Sequence, residues 1–196
     1  MRLSDQDIEV WLAEKKLIIT PYPKKELIHG ITLDIHLGNK FRVFCDHTIS
    51  CIDLSSSKEK ISKNLTKVMS NEKYFSKKNP FFLKPKSLVL FSTLECITLP
   101  DNLVGWLDGR SSLARLGLMI HVTSHRIDPG WHGNIVLEIF NAGNLTLVLT
   151  PEIKIAALSF ELLSKSVIRP YSTRYGSKYK AQNGVVPSRI HKDKIF

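Results

Sequence analysis

The chain has 196 residues, of which 43% are hydrophobic and 23% charged, and it carries a formal net charge of +10. That composition is ordinary for a globular domain and excludes wholesale disorder, while the lack of any apolar run near 20 residues excludes a helical membrane span. Three cysteines (Cys45, Cys51 and Cys96) without C-x-x-C spacing, in a chain with no apolar leader, point to reduced thiols in a cytoplasmic protein.

In chain order, Ser4 and Asp7 form a near capping box, and Ile8, Trp11, Leu12 and Lys15 keep helical spacing, so a helix is predicted over 5–15. The β-branched run Ile18-Ile19-Thr20 and then Pro21 end it. A second helix is predicted over 58–70, where Ile61, Leu65, Val68 and Met69 share one face. Short strands are predicted over 30–37, 40–45, 87–99, 103–107, 118–123, 134–141, 145–150 and 153–163. Turn signals separate them, among them Gly38-Asn39, Pro100-Asp101, Asp128-Pro129-Gly130 and Asn141-Ala142-Gly143-Asn144. Many short strands with two minor helices predict an all-β sandwich or barrel, a single domain over 1–196. Periodicity is lost from about residue 168, and 168–196 reads as a flexible arm that orders on a ligand or a partner chain.

Charge is uneven along the chain. Residues 58–86 hold nine lysines against Glu59 and Glu72, spread around a helix and a loop with few aromatics, and read as a solvated face. Residues 164–196 hold eight Lys or Arg against Asp193, and there Tyr171, Arg174, Tyr175, Lys178, Tyr179 and Gln182 are interleaved. Aromatic and cationic groups together suit a base plus phosphates, in a polymer or a single nucleotide.

Gly109-Arg110-Ser111-Ser112-Leu113-Ala114-Arg115-Leu116-Gly117 carries the strongest local signal. Two serines are N-cap material, Leu113 to Leu116 favour helix, and Gly117 suits a left-handed C′ position. The segment is either an anion site, with free N–H groups beside Arg110, or an ordinary capped turn. In 134–141 a period of two sends Ile135, Leu137 and Ile139 one way and Val136, Glu138 and Phe140 the other. Glu138 is thus an acid flanked by apolar neighbours, read as a general base or acid with a raised pKa, as a buried partner of Arg115 or Arg126, or as both together. No zinc-deaminase signature, P-loop or dinucleotide fingerprint is present. His121 and His125 lie four apart on a strand and turn, an improbable metal pair, while His29, His36 and His47 read as polar or core histidines. Trp106 and Trp131 read as packing residues.

The run Gly109–Leu118, then His121-Val122-Thr123, then His125-Arg126-Ile127-Asp128-Pro129-Gly130-Trp131 closely resembles the signature of bacterial dCTP deaminases. The tail Arg169-Pro170-Tyr171, Lys178-Tyr179, Gln182-Asn183-Gly184 and Ser188-Arg189-Ile190 is similar too, so the likeness covers nearly the whole chain. Ser124 stands where the family pattern has Ala; the family uses the carbonyl there, so the change should matter little. The resemblance implies the β-clip fold of trimeric dUTPases, a distorted barrel or jelly roll. It also implies hydrolytic deamination of dCTP to dUTP and ammonia, feeding dUMP and dTTP synthesis without zinc. On this resemblance Glu138 is the general base and acid. Ser111 and the residue 124 carbonyl hold the water, and Arg115 orients the site. Arg110, Ser111, Ser112, Leu113, Ala114 and Arg115 bind substrate, with Arg126, the sugar ligand Asp128, Val136 and Leu137 at the base, and Tyr171, Lys178 and Gln182 from the tail. Mg²⁺ rides on the phosphates, dTTP is a feedback inhibitor, and sites lie between subunits of a homotrimer. Neither nucleic acid nor membrane is an expected partner. Two rivals stand beside this reading. One is a bifunctional deaminase and dUTPase using Asp128 against phosphorus; the other is a non-catalytic nucleic-acid-binding module, where Glu138 would repel phosphate.

Overall fold

The computed structural model describes residues 1–45 and 49–193, so His47 and the last three residues of the arm lie outside the described residues. The predicted capping box forms: Ser4 Oγ accepts from the Asp7 N–H and Asp7 Oδ2 accepts from the Ser4 N–H, opening α1 (Asp5–Ala13). The helix stops short of its predicted end because Lys15 takes a left-handed φ of 56° and the N–H groups of Lys16 and Leu17 both return to Trp11 O. The β-branched run after it is a strand, β1 (Ile18–Thr20), followed by β2 (Ile28–His29) and β3 (Thr32–Val43). Then come α2 (Lys58–Val68), β4 (Lys73–Tyr74), β5 (Phe81–Leu83), β6 (Leu88–Thr98), β7 (Leu103–Gly109) and α3 (Ser111–Ala114). The chain ends with β8 (Leu118–Met119), β9 (Arg126–Ile127), β10 (His132–Asn141), β11 (Leu147–Leu149) and β12 (Lys154–Leu162), then the arm.

The architecture is mainly β, as the turn-punctuated sequence predicts. One large sheet runs in the order β8-β10-β6-β3-β12-β7-β9, with β1 on β6 and β2 and β4 on β3, while β11 and β5 make a separate pair. Inward side chains of the long strands form the core, among them Leu33, Ile35 and Leu37 of β3, Phe91 and Ile97 of β6, Leu137 and Ile139 of β10, and Leu158 and Phe160 of β12.

Several boundaries differ from those expected. Residues 30–37 and 40–45 are one continuous strand, not two: Gly38 is a point of close approach, where a β-carbon would lie 2.8 Å from the carbonyl oxygens of Ser92 and Thr93. A register shift between Leu37 and Phe41 bends the strand there. The strand expected over 118–123 shortens to β8, which meets only Phe140 and Asn141 of β10. The chain then leaves the edge and reaches β7, where the Leu107 N–H donates to His125 O. β1, β4, β5 and β9 have two or three residues each, too few to show a period.

Candidate functional site

The alternation in β10 is as predicted: Ile135, Leu137 and Ile139 are buried, and Val136, Glu138 and Phe140 are half-buried on the other face. Glu138 sits opposite Leu90 of β6 and lines a cavity of about 570 Å³, a size that suits a small-molecule ligand. Burial pushes its carboxyl above the usual carboxylate range, and backbone hydrogen bonds from Glu138 and Val122 only partly oppose the rise. Of the two readings left open, the ion pair is not formed: among the described residues Glu138 has no salt-bridge partner, since Arg126 engages Asp128 and Arg115 is exposed on α3. An acid so placed, partly dehydrated and facing a cavity, is suited to proton transfer.

Around the same cavity the structure gathers Ser124, Arg126, Asp128 and Val136 with Glu138. Asp128-Pro129-Gly130 is the predicted turn: the Trp131 N–H donates to Asp128 O and Gly130 takes φ 76°. The Asp128 carboxylate is doubly held, by Arg126 Nε at 2.9 Å on Oδ1 and by an Arg174 Nη at 3.0 Å on Oδ2. Arg174 also lies over the Tyr171 ring, which in turn packs on Trp131. Trp131 is the packing residue expected, and Trp106 donates to Glu161 while packing on His125.

The arm folds back over this region of its own chain. Tyr171, Lys178 and Gln182 line the cavity. Gln182 exchanges hydrogen bonds with Asn134 of β10, and its backbone passes so close to Gly133 that a β-carbon there would lie 2.4 Å from Gln182 O. The Tyr179 N–H donates to the Tyr171 hydroxyl, and Lys178 pairs with Asp193. Farther on, Val185 is buried, its N–H donating to Glu72 and its carbonyl accepting from Arg42.

The 110–115 segment is not brought to this cavity. α3 buries no residue, and Ser111, Ser112, Ala114 and Arg115 are exposed, with only Leu113 packing partly on the core. Its N-cap is Arg110, not a serine, and Arg110 is paired with the buried carboxylate of Asp34 on β3. Lys154 and His29 approach the same carboxylate at 3.2 and 3.6 Å. Burial alone would raise the Asp34 carboxyl, but Arg110 and Lys154 outweigh it and hold it below its usual value. Gly117 ends the turn with φ 87°, as predicted, and a β-carbon there would lie 2.4 Å from Gly143 N. Leu137 is fully buried, its side chain in the core, which leaves only its main chain for a ligand.

Sequence reasoning did not find the other wall. Leu65, Val68 and Met69 of the amphipathic α2 region line the cavity with Leu90 and Tyr179. The apolar face of α2 was the available signal, but a face does not name what it covers. The α2 lysines are exposed, in keeping with a solvated face. His121 and His125 stack at 5.4 Å, and burial with its neighbour His125 lowers the His121 pKa. His36 binds the buried Glu95 at 2.6 Å. Among the described residues no three His, Cys, Asp or Glu side chains come close enough to share a metal ion, and no helix is long and apolar enough to cross a membrane.

Against known proteins, residues 2–163 match the family described as dCTP deaminase-like. The dCTP deaminase of Buchnera aphidicola subsp. Schizaphis graminum is 78% identical over 98% of this chain and 100% of its own length. That of Photorhabdus laumondii is 60% identical with the same coverage. A crystal structure of 2′-deoxycytidine 5′-triphosphate deaminase from Agrobacterium tumefaciens shares the fold, with a TM-score of 0.61 at 18% identity over 82% of this chain; the match spans 46% of that longer chain.

Proposed function

The chain belongs to the dCTP deaminase-like family, and we propose that it hydrolyses the 4-amino group of dCTP in the cytoplasm, releasing dUTP and ammonia. The observation that carries this reading is Glu138, an acid that has no counter-charge among the described residues, in the half-dehydrated wall of a cavity fit for one nucleotide. In the proposed reaction Glu138 takes a proton from water as the oxygen bonds to C4, and the proton passes to N3. The remaining hydroxyl proton then reaches the amine by way of Glu138, the C–N bond breaks, and ammonia leaves as the C4 carbonyl forms. The raised pKa makes the Glu138 carboxylate a stronger base than an ordinary one, while its acid form can return the proton.

The Ser124 carbonyl holds the water from the cavity side. Asp128, fixed by Arg126 and Arg174, faces the deoxyribose. The main chain of Val136 and Leu137 frames the base, while Tyr171, Lys178 and Gln182 close over the nucleotide. Ser111 and Arg115 complete the constellation, and Arg110, Ser111 and Ser112 meet the triphosphate with the Leu113 and Ala114 main chain. Because this segment is exposed and away from its own chain's cavity, we assign it to the cavity of a second copy, in a homotrimer with three shared sites. Mg²⁺ enters as part of the substrate, on its phosphates. dTTP, with the same triphosphate and sugar, competes for these groups as a feedback inhibitor.

Asp128 is a poor base for phosphohydrolysis, since both its oxygens are engaged by arginines. Incubating the chain with dCTP and Mg²⁺ and resolving nucleotides by anion exchange tests the proposal. Accumulating dUTP with one ammonia per turnover is the expected result. Unchanged dCTP would refute deamination, and stoichiometric pyrophosphate with dUMP would make the enzyme bifunctional.

A further inference from the structure

The geometry points to Lys154 as a further phosphate-binding residue, aligned with Arg110 by the buried carboxylate of Asp34; this rests on the reading of the chain as a dCTP deaminase. Ala156 of β12 is paired with Gly109 of β7, so Lys154 and Arg110 emerge at the same end of these neighbouring strands. On its other side β12 has a register shift against β3 between Lys154 and Ala156. Such an irregularity re-aims the side chain at its edge. Here Lys154 is turned onto Asp34, with Nζ 3.2 Å from Oδ2, while Arg110 takes Oδ1.

The cluster is unbalanced in charge and graded in exposure. One carboxylate, with 7% of its side chain exposed, underlies two basic side chains that are 32% and 39% exposed at Arg110 and Lys154. His29 Nε2 stands 3.6 Å from the same carboxylate and adds no negative charge. An ammonium has three donors and a guanidinium five, and one carboxylate cannot occupy them all. The buried acid fixes where the two heads sit, both side chains stay partly exposed, and Arg110 is the residue that opens α3. The phosphates of a nucleotide di- or triphosphate spread several anionic oxygens along their length, so they can engage both heads at once while Asp34 still holds them from below. Lys154 thereby joins Arg110, Ser111 and Ser112 on the face that α3 offers to the neighbouring cavity.

The test compares dCTP with dCMP by titration calorimetry, using full-length chain in a Glu138→Gln background that halts turnover. Lys154→Met should weaken dCTP binding about tenfold, the low end for one charge-assisted hydrogen bond at a partly exposed site, and change dCMP binding by less than about twofold. Lys154→Arg, which keeps the charge, should restore most of the dCTP affinity. Equal losses for dCTP and dCMP would reduce Lys154 to a prop for Asp34 and overturn the proposal, as would unchanged dCTP affinity in Lys154→Met. If the Glu138→Gln chain with Lys154 intact binds neither nucleotide, the deaminase reading itself fails and this assignment goes with it.

Discussion

The strand that carries Glu138 and the helical turn that carries Ser111 and Arg115 are built on opposite plans. β10 lies second in the sheet path, between β8 and β6, with its alternate residues in the core, and the arm covers the cavity that Glu138 faces. α3 is a single turn that buries nothing, and its donors stand in solvent. Proton transfer gains from a dry wall, which moves a carboxyl toward neutrality, whereas phosphate capture gains from exposed cations and N–H groups that a polyanion can reach. On the proposed reading, one chain builds each half where its chemistry is best supported, and the two halves meet between copies of the chain.

The largest expected effect falls on the dry half. Glu138→Gln should lower kcat by about 10²–10⁴-fold while leaving dCTP affinity within a few-fold, read by steady-state turnover beside calorimetry. Near-normal turnover would remove the acid from the mechanism and with it the contrast between the regions. Next, each half has one glycine whose replacement disturbs it alone. Gly117→Ala forces an L side chain into left-handed backbone against Gly143, and should cost about 1–2 kcal/mol in denaturant unfolding while raising the KM for dCTP. Gly133→Ala collides with Gln182 of the arm. It should cost stability on a similar scale, by about 1–2 kcal/mol, and loosen the arm, visible as faster proteolysis there.

Acidity gives a further way to sharpen the difference. The raised Glu138 carboxyl binds its proton more readily in the folded chain than in the unfolded one. Its contribution to stability is therefore full below the unfolded pKa and is lost as pH rises through the folded one. Glu138→Gln should flatten that decline in urea unfolding followed from pH 4 to pH 8. A steeper decline in the variant would mean that the acid is better solvated than its surroundings indicate. The smallest effect belongs to Arg174→Ala, which breaks a partly exposed ion pair and should change stability by about 0.2–1 kcal/mol.

What the sequence made legible was whatever is local. The Ser4 and Asp7 capping box, the Asp128-Pro129-Gly130 turn, the C′ role of Gly117 and the two faces of β10 all follow from neighbours within a few residues. Gly38 was misread as a turn because its reason is spatial, the carbonyls of Ser92 and Thr93 on another strand. The same holds for the pairing of Arg110 with Asp34, far apart in the chain, which makes Arg110 a cap without free choice of partner. The apolar face of α2 was visible, but its partner, the cavity beside Glu138, was not. Motif resemblance groups Arg115 with Glu138 as one functional set. The structure separates them within one chain, Glu138 at the cavity and Arg115 exposed away from it, because adjacency in a motif says nothing about distance in the fold.

That separation is tested most directly by mixing two inactive variants. Glu138→Gln spoils the dry half, and Arg115→Ala spoils the exposed half. If sites are shared between copies, co-refolding equal amounts should restore about a quarter of the sites, those pairing an intact Glu138 from one chain with an intact Arg115 from its neighbour. Activity should rise from the near-zero level of either parent toward about a quarter of the unmutated enzyme. Mixtures that stay as inactive as their parents, although native mass spectrometry shows mixed trimers, would place both residues in the same chain's site and contradict the account.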